Sequence, residues 1–261
     1  MKFTLTLIDI LILAVVQGIT EWLPISSFGH LAIVEEYLGL ELPLIFNVML
    51  HLGTLFVVLG VFWRDVVKIV KALISLDFKT DEGKLALFIA VGSVPTALIG
   101  FFFRDIFESF SHNLLAVGVA LLITGFVLFV SERRKTNREL SYLDSLLIGT
   151  AQGIAITPGI SRSGVTIANG LLRRVKKEIA FKYSFLLSVP AVIGATAMES
   201  RDLVVGNVDV VALFLGAITS MIVGYMSLKF LQKVVMKEKF HLFAYYCWIV
   251  GLITVFFHLF E

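Results

Sequence analysis

The sequence predicts an all-α polytopic membrane protein of two inverted-topology repeats, each a re-entrant helical hairpin plus three transmembrane helices. Three observations predict it. The 261 residues are 58% hydrophobic and 16% charged, at a mean hydropathy of +0.93, whereas a soluble domain carries about 25% charged residues. Six apolar stretches reach the roughly 20 residues that cross a hydrocarbon core. Two further apolar regions are broken near their middles by Pro, Gly and Ser.

The first broken region runs from about Thr4 to Gly39 and breaks at Leu23-Pro24-Ile25-Ser26-Ser27. Its opening resembles a signal sequence, but no small-x-small cleavage site follows, so it is expected to be retained. Three full spans follow, at about 44–63, 85–103 and 114–130. The second broken region runs from about Tyr142 to Leu172 and breaks at Thr157-Pro158-Gly159-Ile160-Ser161, ahead of spans at about 179–198, 210–230 and 240–260. Each broken half is about 14 residues, or about 21 Å of helix, too short to span comfortably. A hairpin tip at mid-membrane exposes backbone groups that lipid cannot satisfy, and is tolerated only inside protein or against a water-filled cavity. Two such tips imply a polar site within the bundle.

The halves of the chain echo one another. Gln17-Gly18-Ile19 recurs as Gln152-Gly153-Ile154, and Pro24, Ser26 and Gly29 recur as Pro158, Ser161 and Gly164 with one residue inserted. Arg64-Asp65 is echoed by Arg201-Asp202, and Gly100 by Gly224. This is an internal repeat at roughly 135 residues, dividing a single membrane domain, 1–261, into repeats of about 1–130 and 142–260. A hairpin plus three spans leaves the second repeat upside down, the arrangement in which broken helices meet at the midplane.

The net charge of +2 hides an asymmetry. Counting crossings, one side collects Arg64, Lys68, Lys71, Lys79, Lys84, Arg133, Arg134, Lys135, Arg138, Arg173, Arg174, Lys176, Lys177, Lys233, Lys237 and Lys239, against Lys2, Arg104 and Arg201 on the other. By the positive-inside rule the basic side is cytoplasmic and both termini lie outside a cell membrane. The basic residues are sorted by membrane side and not gathered as a nucleic-acid surface. Full spans in place of hairpins give the same parity, so the count sets orientation alone. The lone Cys247 excludes an intrachain disulfide and a thiolate metal cluster.

Arg162 is the basic residue that its neighbours place deep, where a charge costs about 2.5–3.5 kcal/mol even on the lenient insertion scale. Ser26 and Ser27 open one short helix, and Ser161 and Ser163 the other. Helix N-termini offer free N–H donors and about half a positive charge, so two of them facing Arg162 form an oxyanion cradle. Gln17 and Glu21 lie four apart, Ser27 and His30 three apart, and Ser163 and Thr166 three apart, so each pair shares a helix face. Glu21, His30 and the serine pair supply a carboxylate, an imidazole and a hydroxyl, the parts of acid/base and covalent phosphate chemistry. His51 and Asn47 rank lower, as residues lining the cavity. The bland alternative pairs Arg162 with Glu21 only to lock the hairpins together, which leaves four hydroxyls unexplained.

The segments QGITEWLPISSFGH and PGISRSGVT resemble the two signature regions of the undecaprenyl pyrophosphate phosphatase family, membrane enzymes associated with bacitracin resistance. The resemblance covers essentially the whole chain. Phe28 stands where the family has Thr, removing one hydroxyl; the second motif is intact from Pro158 to Ser163, with Thr166 following. The resemblance implies a hydrolase that converts undecaprenyl pyrophosphate to undecaprenyl phosphate, recycling the lipid carrier for cell-wall glycan synthesis. It also implies a homodimer and dependence on Mg²⁺ or Ca²⁺. On this footing Arg162, Ser161, Ser163, Thr166, Ser26 and Gln17 hold the pyrophosphate, and the attack comes either from Ser27, the candidate nucleophile, with His30 or Glu21 moving its proton, or directly from water. Alternatively Glu21, helped by Gln17, holds the metal. The rival class is a lipid-phosphate flippase or transporter using the same anion site without cleaving anything.

Overall fold

Matching capping devices start the two broken regions. In the structure, a computed structural model describing residues 6–40, 43–111, 113–132, 136–199 and 209–260, α1 (Leu7–Trp22) begins at Thr6. The Thr6 hydroxyl accepts from Asp9 N while the Asp9 carboxylate accepts from Thr6 N, and Ser141 and Asp144 repeat this box at α8 (Tyr142–Ile154). Each is followed by a second short helix, α2 (Ser27–Leu38) and α9 (Arg162–Leu172), capped by the hydroxyls of Ser26 and Ser161. At 16, 12, 13 and 11 residues these four helices are about 24, 18, 20 and 17 Å long.

Among the described residues six helices are long and apolar enough to cross a membrane: α3 (Leu44–Val61), α5 (Asp81–Phe102), α7 (Leu114–Ser131), α10 (Lys177–Glu199), α11 (Val210–Met236) and α12 (Leu242–Phe260). They fall on the six stretches expected from sequence. α5 starts four residues earlier than expected, under a Thr80 cap, and α11 runs six residues further. No strand occurs among the described residues beyond an isolated bridge between Arg138 and Val175. The segment expected as a basic loop after α3 contains an amphipathic helix, α4 (Trp63–Ile74), which buries Ile69 and Ala72. A short helix, α6 (Arg104–Ser111), follows α5.

α1 packs along α11, α8 along α5, and α12 along α7, while α3 touches both α10 and α11. At the α5–α8 crossing Gly149 meets the backbone of Gly92, where a Cβ would sit 2.0 Å from the Gly92 carbonyl oxygen. Thr96 donates to the Gly149 carbonyl across the same contact (2.8 Å). The largest core cluster joins Trp22 and Ile25 to residues of α3, α9, α10, α11 and α12, so the first break lies against the centre of the bundle.

Several of the described basic residues gather at one end through ion pairs. Lys68 pairs with Glu82, Lys182 with Asp65, Lys177 with Glu238, and Arg173 and Arg138 with the fully buried Asp144. These contacts bring the starts of α4, α5, α8 and α10 and the α11–α12 turn to the same end. Lys2, Arg133, Arg134, Lys135 and the Arg201-Asp202 echo lie outside the described residues.

Candidate active site

The two breaks touch. Ser26, at φ +69°, directs its hydroxyl to accept from Gly29 N (3.3 Å) within its own helix and from Gly159 N (3.1 Å) in the other break. Gly159 sits at φ +91° against the Val117 carbonyl, a place with no room for a Cβ. Ser163 returns the contact by donating to the Leu23 carbonyl (3.3 Å). Thr124 of α7 braces the second break, donating to the Gly159 carbonyl and accepting from Ser161 N.

At this junction the Glu21 carboxylate is the hub. Its Oε1 receives Arg162 Nη2 in an ion pair; its Oε2 accepts from the Ser27 hydroxyl (2.7 Å) and from Gln17 Nε2 (3.1 Å). The Glu21 and Arg162 side chains are 5% and 17% exposed, so the pair sits where water screens it little. The Arg162 guanidinium lies 5.2 Å from the centroid of the Trp22 ring. His51 of α3 brings its Nε2 within 3.7 Å of Glu21 Oε2. Five side chains from four helices thus meet here, one of them a carboxylate and one a hydroxyl.

The other expected residues are placed around this hub. Ser161 and Ser163 face each other at the start of α9 (3.3 Å), and Ser161 caps the helix through Gly164 N. Thr166 turns to the Arg162 carbonyl and to Ser184 of α10. His30 turns away from Ser27: its Nδ1–H donates to the Ser26 carbonyl (2.8 Å), which leaves Nε2 to accept from the Tyr246 hydroxyl (2.8 Å), and the two rings stack at 5.6 Å. Trp22, Tyr246 and Thr124 escaped the sequence reading. Trp22 sat inside a motif already quoted, whereas nothing in the sequence separates Tyr246 or Thr124 from other polar residues of apolar spans.

A divalent cation is testable against the donor set. Mg²⁺ and Ca²⁺ take six or more oxygen ligands, and no three of His, Cys, Asp and Glu converge among the described residues. The hub offers Glu21 and the Gln17 Oε1, a buried acceptor with no partner. That set fits an ion carried on a polyphosphate and touched by the protein on one side, and does not fit a cage built by protein alone.

The chain has close relatives in sequence among known proteins. An undecaprenyl-diphosphatase of Methanosphaera stadtmanae is 40% identical over 269 residues, covering 96% of this chain and 98% of the relative. One from Alkaliphilus metalliredigens is 39% identical, covering 98% and 100%, and one from Carboxydothermus hydrogenoformans 40% identical, covering 92% and 93%. The model of the family described as bacitracin resistance protein BacA matches residues 10–253. With that match and those relatives spanning nearly its full length, the chain belongs to the BacA family.

Proposed function

We propose that this chain is an integral membrane phosphatase that hydrolyses undecaprenyl pyrophosphate to undecaprenyl phosphate and inorganic phosphate. One observation carries the reading: a buried carboxylate holds the Ser27 hydroxyl at 2.7 Å on one oxygen and Arg162 on the other. That is a nucleophile, a proton acceptor and a phosphate-binding cation in a single contact set.

Arg162 rests on Glu21 through one nitrogen, and a guanidinium carries five N–H donors, so it has donors left to meet an arriving phosphate. The N-termini of α2 and α9, with Ser26, Ser161, Ser163 and Thr166 in or behind their first turns, add fixed positive dipoles. Positioned positive charge is most of what phosphoryl transfer requires. Ser27 Oγ attacks the terminal phosphorus, its proton passes to Glu21 Oε2, and the bond from that phosphorus to the bridging oxygen breaks. Water then hydrolyses the phosphoserine. Glu21 takes the proton role ahead of His30, whose two ring nitrogens are occupied by Ser26 and Tyr246. In the alternative role of Glu21, that carboxylate and Gln17 would hold Mg²⁺ or Ca²⁺, which would supply neutralising charge to the phosphate.

The finer architecture belongs to the same reading. Pairing α1 with α8 and α5 with α11 turns the α1–α11 contact into the α8–α5 contact, as inverted repeats require. The two capping boxes, from Thr6 and Ser141, add support at the roughly 135-residue spacing. The short helices then enter from opposite faces as re-entrant hairpins of one domain, with the basic end cytoplasmic and both termini outside. A homodimer rests on the family resemblance.

The experiment is phosphate release from C55 prenyl pyrophosphate by purified protein in detergent, with and without Mg²⁺ or Ca²⁺ and after chelation. Hydrolysis needs no bilayer, whereas a flippase needs one and releases no phosphate. Absence of release with either ion present overturns the enzyme reading. Full activity after chelation removes the ion from it.

A further inference from the structure

His51 stands beside the hub in an arrangement that the motif chemistry leaves unused. Its Nδ1 lies 2.9 Å from the Asn47 carbonyl, which can only accept, so the proton of the neutral ring is on Nδ1 and Nε2 presents a lone pair. That Nε2 is buried and has no hydrogen-bond partner. It lies 3.7 Å from Glu21 Oε2, itself an acceptor. Two acceptors so close in a low-dielectric site are favourable only when a donor lies between them. The ring is also fixed from its face: Phe28, the residue that departs from the family pattern, stacks on it at 5.1 Å and 25°.

We infer that His51, aimed by Phe28 and the Asn47 carbonyl, is a positioning residue for the water that completes hydrolysis. The inference rests on the phosphatase reading above. Once Ser27 is phosphorylated and the proton it gave to Glu21 has left on the departing prenyl phosphate, Oε2 is again a free acceptor, and Oε2 and His51 Nε2 together accept the two hydrogens of one water. The water oxygen bonds to phosphorus and the Ser27 Oγ–P bond breaks. The proton facing Glu21 passes through that carboxylate to Ser27 Oγ. The proton facing His51 stays on the departing phosphate, so the imidazole orients the water and remains neutral throughout.

The test is steady-state turnover of C55 pyrophosphate by full-length protein in detergent, comparing wild type with His51→Leu, His51→Gln and Phe28→Leu. The Gln amide oxygen reaches the place of Nε2 and accepts in its stead. His51→Leu is expected to lower kcat by about 10- to 100-fold with KM within about threefold, as misplaced reactants do. His51→Gln is expected to restore most of that loss, and Phe28→Leu to lower kcat by a smaller factor. Wild-type kcat in His51→Leu overturns the inference. So does a change confined to KM, or a His51→Gln protein as slow as His51→Leu. Should the leucine variant fail to fold, the glutamine and Phe28 variants decide by the same criteria. An inactive wild type defeats the phosphatase reading instead, so the two failures are distinguishable.

Discussion

Deleting one partner of the Arg162–Glu21 pair separates a lock from a catalytic hub. Removing one member of a buried ion pair costs about 3–5 kcal/mol, because the other charge is left uncompensated. With Arg162 17% and Glu21 5% exposed, some screening remains, and about 2–4 kcal/mol is expected for either single alanine variant. Arg162→Ala also forfeits the stacking on Trp22, worth about 0.5–1 kcal/mol. The double variant leaves no stranded charge, so only lost packing and stacking remain, about 1–2 kcal/mol. The singles should therefore sum to more than the double by about 3–6 kcal/mol. Equilibrium unfolding in mixed micelles followed by circular dichroism reads the stabilities, and phosphate release reads function. All three variants are expected to lack turnover although the double folds nearly as well as wild type. A double variant that turns over near the wild-type rate refutes the hub and leaves the pair as a lock. A double as unstable as the sum of the singles refutes the burial argument.

Ser26→Ala strands the buried N–H groups of Gly29 and Gly159 and should cost about 2–4 kcal/mol; Ser26→Gly should cost about 1 kcal/mol less, because it relieves the φ of +69°, and an alanine variant melting with wild type contradicts this. Gly149→Ala drives a methyl into the Gly92 carbonyl and should lower the melting temperature as a loss of about 1–3 kcal/mol does, leaving KM unchanged in whatever protein folds. For Asp144, burial pushes the carboxyl up, but hydrogen bonds from Ser141 and Arg173 outweigh it and hold the group below its usual value. Its stabilisation is thus present above the unfolded carboxyl pKa of about 3.9 and is lost as pH falls through the lower folded value. The melting difference between wild type and Asp144→Asn should be constant from pH 7 to about 5 and shrink below about 4; a gap that widens on acidification contradicts the sign.

The parts of this molecule set by local chemistry were legible in its sequence, and those set by rotamers across helices were not. Long apolar runs named all six spans, and Pro24 and Pro158 marked breaks whose serines do cap the following helices. Even the Arg162–Glu21 contact was anticipated, though as the bland alternative, because a deep charge needs a partner. The amphipathic α4 was visible in principle, since Val66, Ile69, Val70 and Leu73 recur at helical spacing, but its lysines dominated a charge count. His30 and His51 show the limit. The motif favours His30, three residues from Ser27, yet Tyr246 on α12 captures its ring. His51, isolated in an apolar span, is aimed at the hub by Phe28, a residue that in the sequence stood only for a missing hydroxyl. Which histidine faces the carboxylate depends on where α3 and α12 stand, which no spacing within α2 encodes.

The charge arithmetic of the hub explains why an enzyme for a lipid pyrophosphate would keep an arginine and a glutamate in contact. A lone guanidinium or carboxylate buried to this degree is costly, and each satisfies the other when no substrate is bound. On the proposed reading the pyrophosphate competes for the same guanidinium with more negative charge than one carboxylate carries, so the pair loosens only when that ligand arrives. Glu21 is not then stranded, because Ser27 and Gln17 still donate to its Oε2. The carboxylate freed from Arg162 is the one already bonded to the nucleophile. Substrate binding and readiness for proton transfer are thereby one event, and a polyprenyl monophosphate, with less charge to compete for Arg162, leaves the pair closed and the product free to depart.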